Sequence, residues 1–352
     1  MVEDNTVIEE ISAHSIKQII QKVFGTDAQI KAVNEVGTLH EFGLMRKWEG
    51  SHNLIYIVAL KSPSLKVVIR FCRNIRDTDL YDKEKSTYEQ LAEAVGVRTP
   101  TIHLIDRSKE IVPTAYMVME YLEGEIADFL AHPDNPTTSQ KEKDSIENEV
   151  GRLHAQIHSI TRPTTSPDSA RKRDYVDYFA RIEEAVAQKF LNIEAIQLEA
   201  CRRTIEQEPY LLLDKESLVL ADAELYFTKA KNEWEFAFIL DVESVDYSDP
   251  YGDLVDQACR PSALHQLGHP FVIEDVRAIS DKPFFQGYES IRSIDYDRLR
   301  HIPVYYQLAI WCSVIRGKCR THQGRAELKE WLEPLLIKLI SFLGQKEKTV
   351  SG

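Results

Sequence analysis

The chain has 352 residues, of which 43% are hydrophobic and 28% charged, so it can bury one large core or two modest ones. Its formal net charge of −13 argues against nucleic acid as a partner, because phosphate backbones are bound by basic surfaces. The first 122 residues carry −2 and the remainder −11. The acidic second part favours a cationic substrate, although a solvated acidic surface explains it equally well.

The cysteines and the amino terminus indicate the cellular compartment. The five cysteines are odd in number and form neither a C-x₂-C pair nor a cluster with histidines, so we expect reduced thiols. The first five residues are acidic where a targeting peptide would be basic, and no run of about 18 apolar residues occurs. These features predict a cytoplasmic protein that does not bind membranes.

The first third of the chain alternates between strand and helix patterns. A capped amphipathic helix is predicted over 15–25 and a second helix over 82–95. Apolar, β-rich runs predict strands over 54–60, 66–71 and 115–121. Strands, one helix and further strands describe a small antiparallel sheet that carries a helix.

Helical patterns dominate after a polar connector at 131–143. Two short strands interrupt them, at 218–222 and 239–243. The predicted helices lie near 141–160, 174–191, 194–207, 252–260, 303–317 and 325–343.

The two short strands each deliver a carboxylate at or near their end. The first run, Leu218 to Leu220, is followed by Asp222, and the second leads into Asp241 nineteen residues later. Two acids brought to one point suit phosphoryl transfer, in which one orients a hydroxyl and the other holds Mg²⁺ against nucleotide phosphates.

These acids and their spacing resemble the aminoglycoside phosphotransferase family, whose pattern runs His-Gly-Asp-x-x-x-x-Asn, then Ile-Asp-x-Glu, Gly-Asp-Pro and Asp-Leu. Leu220 stands where the family has His, and Phe227 stands where it has a metal-coordinating Asn. The matching residues are Asp222, Asp241, Glu243, Asp249, Pro250, Asp253 and Leu254. The resemblance implies an α+β, two-lobe protein-kinase-like fold, with a small antiparallel-sheet N-lobe over 1–122 and a mostly helical C-lobe over 123–352.

The resemblance also implies residues that contact the nucleotide phosphates. Gly50 and Ser51 resemble the family's reduced glycine-rich loop, in which backbone N–H groups come close to a phosphate. Arg70 ends a strand where the family places the basic residue that meets the α- and β-phosphates. Glu84, at the start of the next helix, has the spacing of the kinase Lys–Glu ion pair.

The segment 117–125 resembles the hinge between the two lobes. Adenine presents one donor and one acceptor along an edge, so a bare strand can bind it through backbone atoms. The resemblance implies that the Glu120 carbonyl and the Leu122 N–H serve in this way, just before the small residue Gly124.

The resemblance assigns chemistry to the acids of the motif. Asp222 would be the general base or hydroxyl-orienting group, and Asp241 the principal Mg²⁺ ligand, with Glu243 as a second. Because Phe227 has no coordinating oxygen, Glu224 or Glu243 would supply the missing ligand.

Three further groups take supporting roles in this interpretation. Asp249 and Asp253 would accept backbone N–H bonds at a helix start. His158 would pack and hydrogen-bond behind the catalytic loop. The aromatic residues Tyr305, Tyr306, Trp311 and Trp331 form either a cage for a cationic amine or ordinary core, and the sequence leaves both open.

The function that the resemblance implies is ATP- or GTP-dependent phosphorylation of a hydroxyl on a small polar, amine-bearing molecule, with Mg²⁺ as cofactor. Two alternatives stay open. A nucleotide-binding pseudokinase would follow from Leu220 and Phe227, and a choline- or ethanolamine-type kinase is compatible with the acidic second part. The acceptor, the choice of ATP or GTP and the oligomeric state are not determined by the sequence.

Overall fold

A computed structural model of the chain describes residues 11–35, 53–72, 80–163, 170–212, 215–263, 271–318, 330 and 333–350. Two compact units are present. The first comprises residues 1–142 and 222–245, and the second comprises 143–221 and 246–352. Each unit is therefore built from two separate stretches of chain. The functional division at residue 122 stays a prediction.

The first unit contains a five-stranded antiparallel sheet with the strand order β1-β2-β3-β5-β4. The strands are β1 (Gln29–Glu35), β2 (Asn53–Ser62), β3 (Lys66–Cys72), β4 (Ile102–Asp106) and β5 (Tyr116–Glu120). Along β2 every second side chain is buried, from Leu54 to Leu60, as expected for a strand with one face on a core. The three predicted strands of this region are confirmed.

Two helices accompany this sheet, and both were predicted. Helix α1 (Ala13–Phe24) begins after Ser12, whose hydroxyl accepts the N–H of Ser15 at 3.1 Å. Its buried face, Ile16, Ile19 and Ile20, belongs to the same core cluster as Leu54 and Val58 of β2. Helix α2 (Leu80–Val95) follows β3.

The stretch from 222 to 245 adds a β-hairpin to the first unit. Strands β9 (Glu224–Ala230) and β10 (Glu233–Leu240) pair with each other, and β9 also pairs with the short β6 (Glu125–Ile126). The turn residues Lys231 and Asn232 have φ of 49° and 70°, the backbone of a two-residue hairpin turn. Strand β9 was not predicted, because this turn lacks the glycine that usually signals a hairpin. Helix α3 (Ala127–Ala131) follows β6.

The second unit is mainly helical, with a small sheet of β7 (Thr161–Pro163), β8 (Lys215–Val219) and β11 (Asp246–Ser248). Its predicted helices are confirmed, although 325–329 and 331–332 of the last one lie outside the described residues. Three short helices between residues 276 and 301 were not predicted. The helices are α4 (Gln140–His158), α5 (Ala170–Ala187), α6 (Ala195–Gln207), α7 (Tyr251–Ala263), α8 (Val276–Ser280), α9 (Pro283–Glu289), α10 (Tyr296–His301), α11 (Pro303–Lys318) and α12 (Glu333–Val350).

Helix α4 begins with a capping box that the sequence analysis missed. The Glu142 carboxylate accepts the Ser139 N–H at 2.9 Å, and the Ser139 hydroxyl accepts the Glu142 N–H at 3.4 Å. The bonds from Ser139 lower the pKa of Glu142 to about 2. The Ser-x-x-Glu spacing was the available signal.

Two glycines let helices α4 and α9 touch through their backbones. A Cβ atom on Gly151 would lie 1.9 Å from the Phe284 carbonyl oxygen, and one on Gly287 would lie 1.9 Å from the Asn148 carbonyl oxygen. No side chain fits at either position, so this contact depends on both glycines.

The aromatic residues of α11 belong to the core of the second unit. Tyr305 and Trp311 are buried in the cluster that α5, α6, α11 and α12 share, and the Tyr305 hydroxyl donates to Glu208 at 2.9 Å. The cation-cage interpretation is therefore wrong for these two residues. Tyr306 is partly buried, and Trp331 lies outside the described residues.

In the part of the chain that the structure describes, we find no helix with the length and apolar character needed to cross a bilayer.

Candidate active site

The hairpin brings the two predicted acids to its open end. Glu224, the first residue of β9, pairs with Leu240, the last residue of β10. Asp222 lies two residues before this pair, in an exposed turn, and Asp241 comes directly after it. The two acids, nineteen residues apart in sequence, therefore lie at the same end of the hairpin, because the chain between them folds back on itself.

Two left-handed residues shape the ends of the hairpin. Ala221 has φ of 49°, and Asp241 has φ of 56° and ψ of 48°. Aspartate tolerates this conformation because its short polar side chain interacts locally, whereas alanine is strained in it by about 1–2 kcal/mol. Ala221 occupies the position of the glycine in the family pattern. Strained backbone of this kind often occurs at functional sites, and here it lies directly before the exposed Asp222.

A buried ion pair joins β3 to α2. The Arg70 Nη1 donates to Glu84 Oε1 at 2.5 Å, and the Tyr88 hydroxyl donates to the same oxygen at 2.9 Å. The exposed fraction is 8% for Arg70 and 0% for Glu84. Burial raises the pKa of Glu84, while the guanidinium opposes this shift. For Arg70, burial lowers the pKa, but the charge of Glu84 reverses the effect and leaves it raised.

Arg70 also reaches the acid that follows the hairpin. Its Nη2 donates to Glu243 Oε2 at 3.4 Å, and Glu243 lies in a 3-10 turn (Val242–Ser244) that contacts α2. Two buried atoms of the ion pair, Arg70 Nε and Glu84 Oε2, have no hydrogen-bond partner among the described residues. The guanidinium thus retains donor capacity.

Glu224 and Asp241 repel each other electrostatically. Burial raises the pKa of Glu224, and the charge of Asp241 raises it further, while a 2.7 Å hydrogen bond from the Tyr226 hydroxyl acts in the opposite direction. Close carboxylates with unfavourable mutual charge are stabilised by a cation.

The acids at the end of the hairpin fit a magnesium ion that is shared with a nucleotide. No group of three or more His, Cys, Asp or Glu side chains within the described ranges could hold a metal on its own. Mg²⁺ is usually bound by one or two carboxylates together with phosphate oxygens and water, so a preformed cage is not required. Asp241 and Glu224 would be the ligands, and the assignment of Asp241, Glu243 and Glu224 as metal ligands stays a prediction.

The predicted hinge residues lie at the end of β5. The Glu120 carboxylate binds Arg98 at 2.9 Å and the Thr101 N–H at 3.2 Å, while Leu122 is buried. A Cβ atom on Gly124 would lie 3.0 Å from the Phe227 carbonyl oxygen, so this glycine permits β9 to come close. Contact of Glu120 and Leu122 with a base stays a prediction. Gly50 and Ser51 lie outside the described residues.

Phe227 is a core residue of the hairpin. It is fully buried within β9, pairs with Phe236 and Glu125 across the sheet, and its ring meets that of Phe236 edge-on at 5.9 Å. The turn at 221–222 is short, and β9 has already begun at Glu224. The position where the family pattern has Asn is therefore strand rather than loop in this chain.

Asp249 and Asp253 differ in their roles. Asp249 accepts the Tyr251 N–H at 3.1 Å at the start of α7, as predicted, and also binds Arg298 at 3.0 Å. Asp253 was predicted to do the same, which is wrong. Its Oδ2 accepts the Leu220 N–H at 2.9 Å, just before the turn that carries Asp222.

His158 supports Asp253 from within α4. Its Nε2 lies 3.1 Å from Asp253 Oδ2, and its Nδ1 lies 2.9 Å from the Tyr288 hydroxyl. Burial raises the pKa of Asp253, but His158 and the Leu220 N–H outweigh it and keep that pKa below its ordinary value. The predicted packing and hydrogen-bonding role of His158 agrees with these contacts.

The chain shares its fold with solved small-molecule phosphotransferases. Macrolide 2′-phosphotransferase MphH from Brachybacterium faecium is 13% identical with a TM-score of 0.59, and the alignment covers 89% of this chain and 96% of that one. The GDP complex of wild-type aminoglycoside 2′-phosphotransferase-IIIa is 13% identical with a TM-score of 0.58, covering 96% and 100%. Plasmodium vivax ethanolamine kinase is 12% identical with a TM-score of 0.51, covering 96% and 86%.

These likenesses define a protein-kinase-like α+β fold, which confirms the predicted fold class. Residues 46–300 match the sequence profile of the phosphotransferase enzyme family, APH. The match spans well over half of the chain, so the protein belongs to that family. A comparison with curated proteins gives no significant match.

Proposed function

We propose that the protein transfers the γ-phosphoryl group of ATP or GTP to a hydroxyl of a small polar, amine-bearing molecule. The proposal rests above all on one observation. The hairpin carries Glu224 and Asp241 at its open end, Asp222 precedes it by two residues, and the buried Arg70–Glu84 pair lies in the same unit of the protein. These are the parts that phosphoryl transfer requires.

Each residue has a distinct task in this proposal. Asp222 is exposed, so its carboxylate can hold an acceptor hydroxyl in line with the γ-phosphate. Arg70 meets the phosphates from β3, fixed in orientation by Glu84. Mg²⁺, held by Asp241 and Glu224, would neutralise the charge that develops on the phosphate oxygens. Nucleotide binding is supported by the GDP complex of the aminoglycoside 2′-phosphotransferase.

The test is a nucleotide-consumption screen with purified protein across aminoglycosides, macrolides, choline, ethanolamine and other amino alcohols. Each acceptor is measured with ATP and with GTP, in Mg²⁺ and in excess chelator. Asp222→Asn serves as the chemical control, since it retains shape and removes the charge that orients the hydroxyl. Acceptor-dependent turnover that requires both Mg²⁺ and Asp222 is expected. Turnover unaffected by Asp222→Asn would contradict the assigned role.

A second candidate is an amino-alcohol kinase of metabolism. The fold likeness to an ethanolamine kinase and the net charge of −11 after residue 122 support a small cationic acceptor. In the screen, activity confined to choline or ethanolamine selects this candidate. Nucleotide binding without any turnover would instead favour the pseudokinase alternative.

A further inference from the structure

Arg70 is held by two carboxylates of different character. Glu84 is fully buried, lies 2.5 Å from Nη1 and is fixed by a further bond from Tyr88. Glu243 lies 3.4 Å from Nη2, at the outer limit of a hydrogen bond, and its side chain is 22% exposed. The two contacts therefore differ in strength, and Glu243 is the partner that can leave.

The charges around this guanidinium disfavour a bare phosphate. Asp241 acts electrostatically on Arg70 and on Glu84, and Glu243 contacts Arg70 directly, so one cation faces three carboxylates. A phosphate oxygen that approaches Nη2 encounters Glu243 on the same donor. A metal ion or the departure of Glu243 would therefore favour binding of a nucleotide at this place.

We propose that Glu243 is an exchangeable partner of Arg70, which couples phosphate binding to metal binding. Without nucleotide, Glu243 occupies Nη2. When a metal–nucleotide complex binds, a phosphate would take Nη2, and the released Glu243 carboxylate would be able to act as a metal ligand together with Asp241. This inference deepens the proposed function and depends on it.

The unpaired atoms of the buried pair make the exchange feasible. Arg70 Nε and Glu84 Oε2 have no partner among the described residues. When Glu243 leaves, the guanidinium can realign and form a second bond with Glu84, giving the two-point geometry that arginine and carboxylate prefer. After the exchange Arg70 would still be held by Glu84, and its Nη2 group would be free to donate to the phosphate.

The test measures the affinity of ATP by calorimetry, once in EDTA and once in excess Mg²⁺. The variants are Glu243→Gln and Glu243→Ala, and the matched control is Glu235→Gln, an exposed acid on the preceding strand β10. Circular dichroism and melting temperature verify folding, and the alanine variant keeps the test decisive if the glutamine variant misfolds.

We expect Glu243→Gln to bind metal-free ATP about three- to tenfold more tightly than wild type, because the competing charge is gone. In Mg²⁺ the variant should gain nothing or bind more weakly, so the ratio of the two dissociation constants falls. Glu235→Gln should match wild type in both buffers.

Three outcomes overturn the inference. Unchanged or weaker metal-free binding in both Glu243 variants means that the carboxylate does not compete for Arg70. An equal change in the Glu235 control means that only overall charge matters. If wild type binds no nucleotide in either buffer, the proposed function falls as well. If wild type binds nucleotide and transfers phosphate, but neither Glu243 variant changes the affinity for metal-free ATP, this inference alone is overturned.

Discussion

Replacing Phe227 by Asn tests whether this chain is a functioning member of its family or a degenerate one. An amide at this position restores the residue type of the family pattern. In this protein, however, Phe227 is fully buried in the middle strand of the β6-β9-β10 sheet. We therefore expect a loss of stability and no gain of activity.

The size of the loss follows from the burial of the ring. An aromatic side chain buries about 150–250 Å², which at about 25 cal/mol per Å² gives about 5 kcal/mol. Residual structure in the unfolded chain reduces this to about 3–4 kcal/mol. The amide, left without partners in the core, adds about 1–3 kcal/mol. A total of about 4 kcal/mol or more should lower the melting temperature of a unit of this size by about 8–16 °C.

The assay pairs thermal unfolding with turnover on the acceptor found in the screen. Phe227→Leu is the matched control, since it keeps an apolar side chain and should cost about 1 kcal/mol. Turnover gained by Phe227→Asn, or an unchanged melting temperature, would refute the reasoning. A gain would show that the position is a metal site that this chain has lost.

Four further predictions concern the hairpin, the ion pair and the first turn of α4. Asp241→Asn should abolish Mg²⁺-dependent nucleotide binding, which titration with Mg²⁺ at fixed nucleotide checks. The melting temperature should change little, because asparagine also tolerates the left-handed backbone at this position. Ala221→Gly should stabilise the protein by about 1 kcal/mol in thermal unfolding, since glycine relieves the strain at φ of 49°, and a loss would contradict the strain. Arg70→Met should destabilise by about 3 kcal/mol or more, because it leaves Glu84 buried without a cation, and the double variant with Glu84→Leu should recover most of that loss. The pKa of Glu142 is lowered to about 2 from an ordinary 4.5, so the ionised carboxylate stabilises the fold fully above pH 4.5, and this stabilisation disappears as the pH falls toward 2. Unfolding measured between pH 2 and pH 4.5 should therefore depend less on pH in Glu142→Gln than in wild type.

The sequence predicted the fold class and most elements because their signals are local. Helix α1 is visible from its spaced isoleucines and from the glycine that ends it, although its capping serine is Ser12 and not the predicted Ser15; β2 and β3 are visible from continuous apolar runs. The pairing of Arg70 with Glu84 followed from a resemblance, and the structure adds that both are buried.

Other features depended on information that the spacing of motifs does not carry. Strand β9 was missed, because a turn of lysine and asparagine gives a weaker signal than one with glycine. Consequently the sequence did not show that Phe227 lies within a strand. Asp253 was assigned to a helix start by its position in α7, whereas its actual partner, Leu220, is 33 residues away in sequence. Long-range contacts of this kind are not visible in a local pattern.

The discontinuity of the first unit also has a consequence for the order of synthesis. Residues 143–221 are made between its two stretches, and at about 5–20 residues per second a ribosome needs several seconds to make them. During that interval β3 and α2 can already bring Arg70 and Glu84 together, while β9 and β10 do not yet exist. The emerging chain therefore contains the Arg70–Glu84 ion pair before it contains the carboxylates of Asp222, Glu224 and Asp241. Pulse-labelled ribosome complexes stalled before and after residue 245 would show the protease resistance of the first unit rising only with the longer chain.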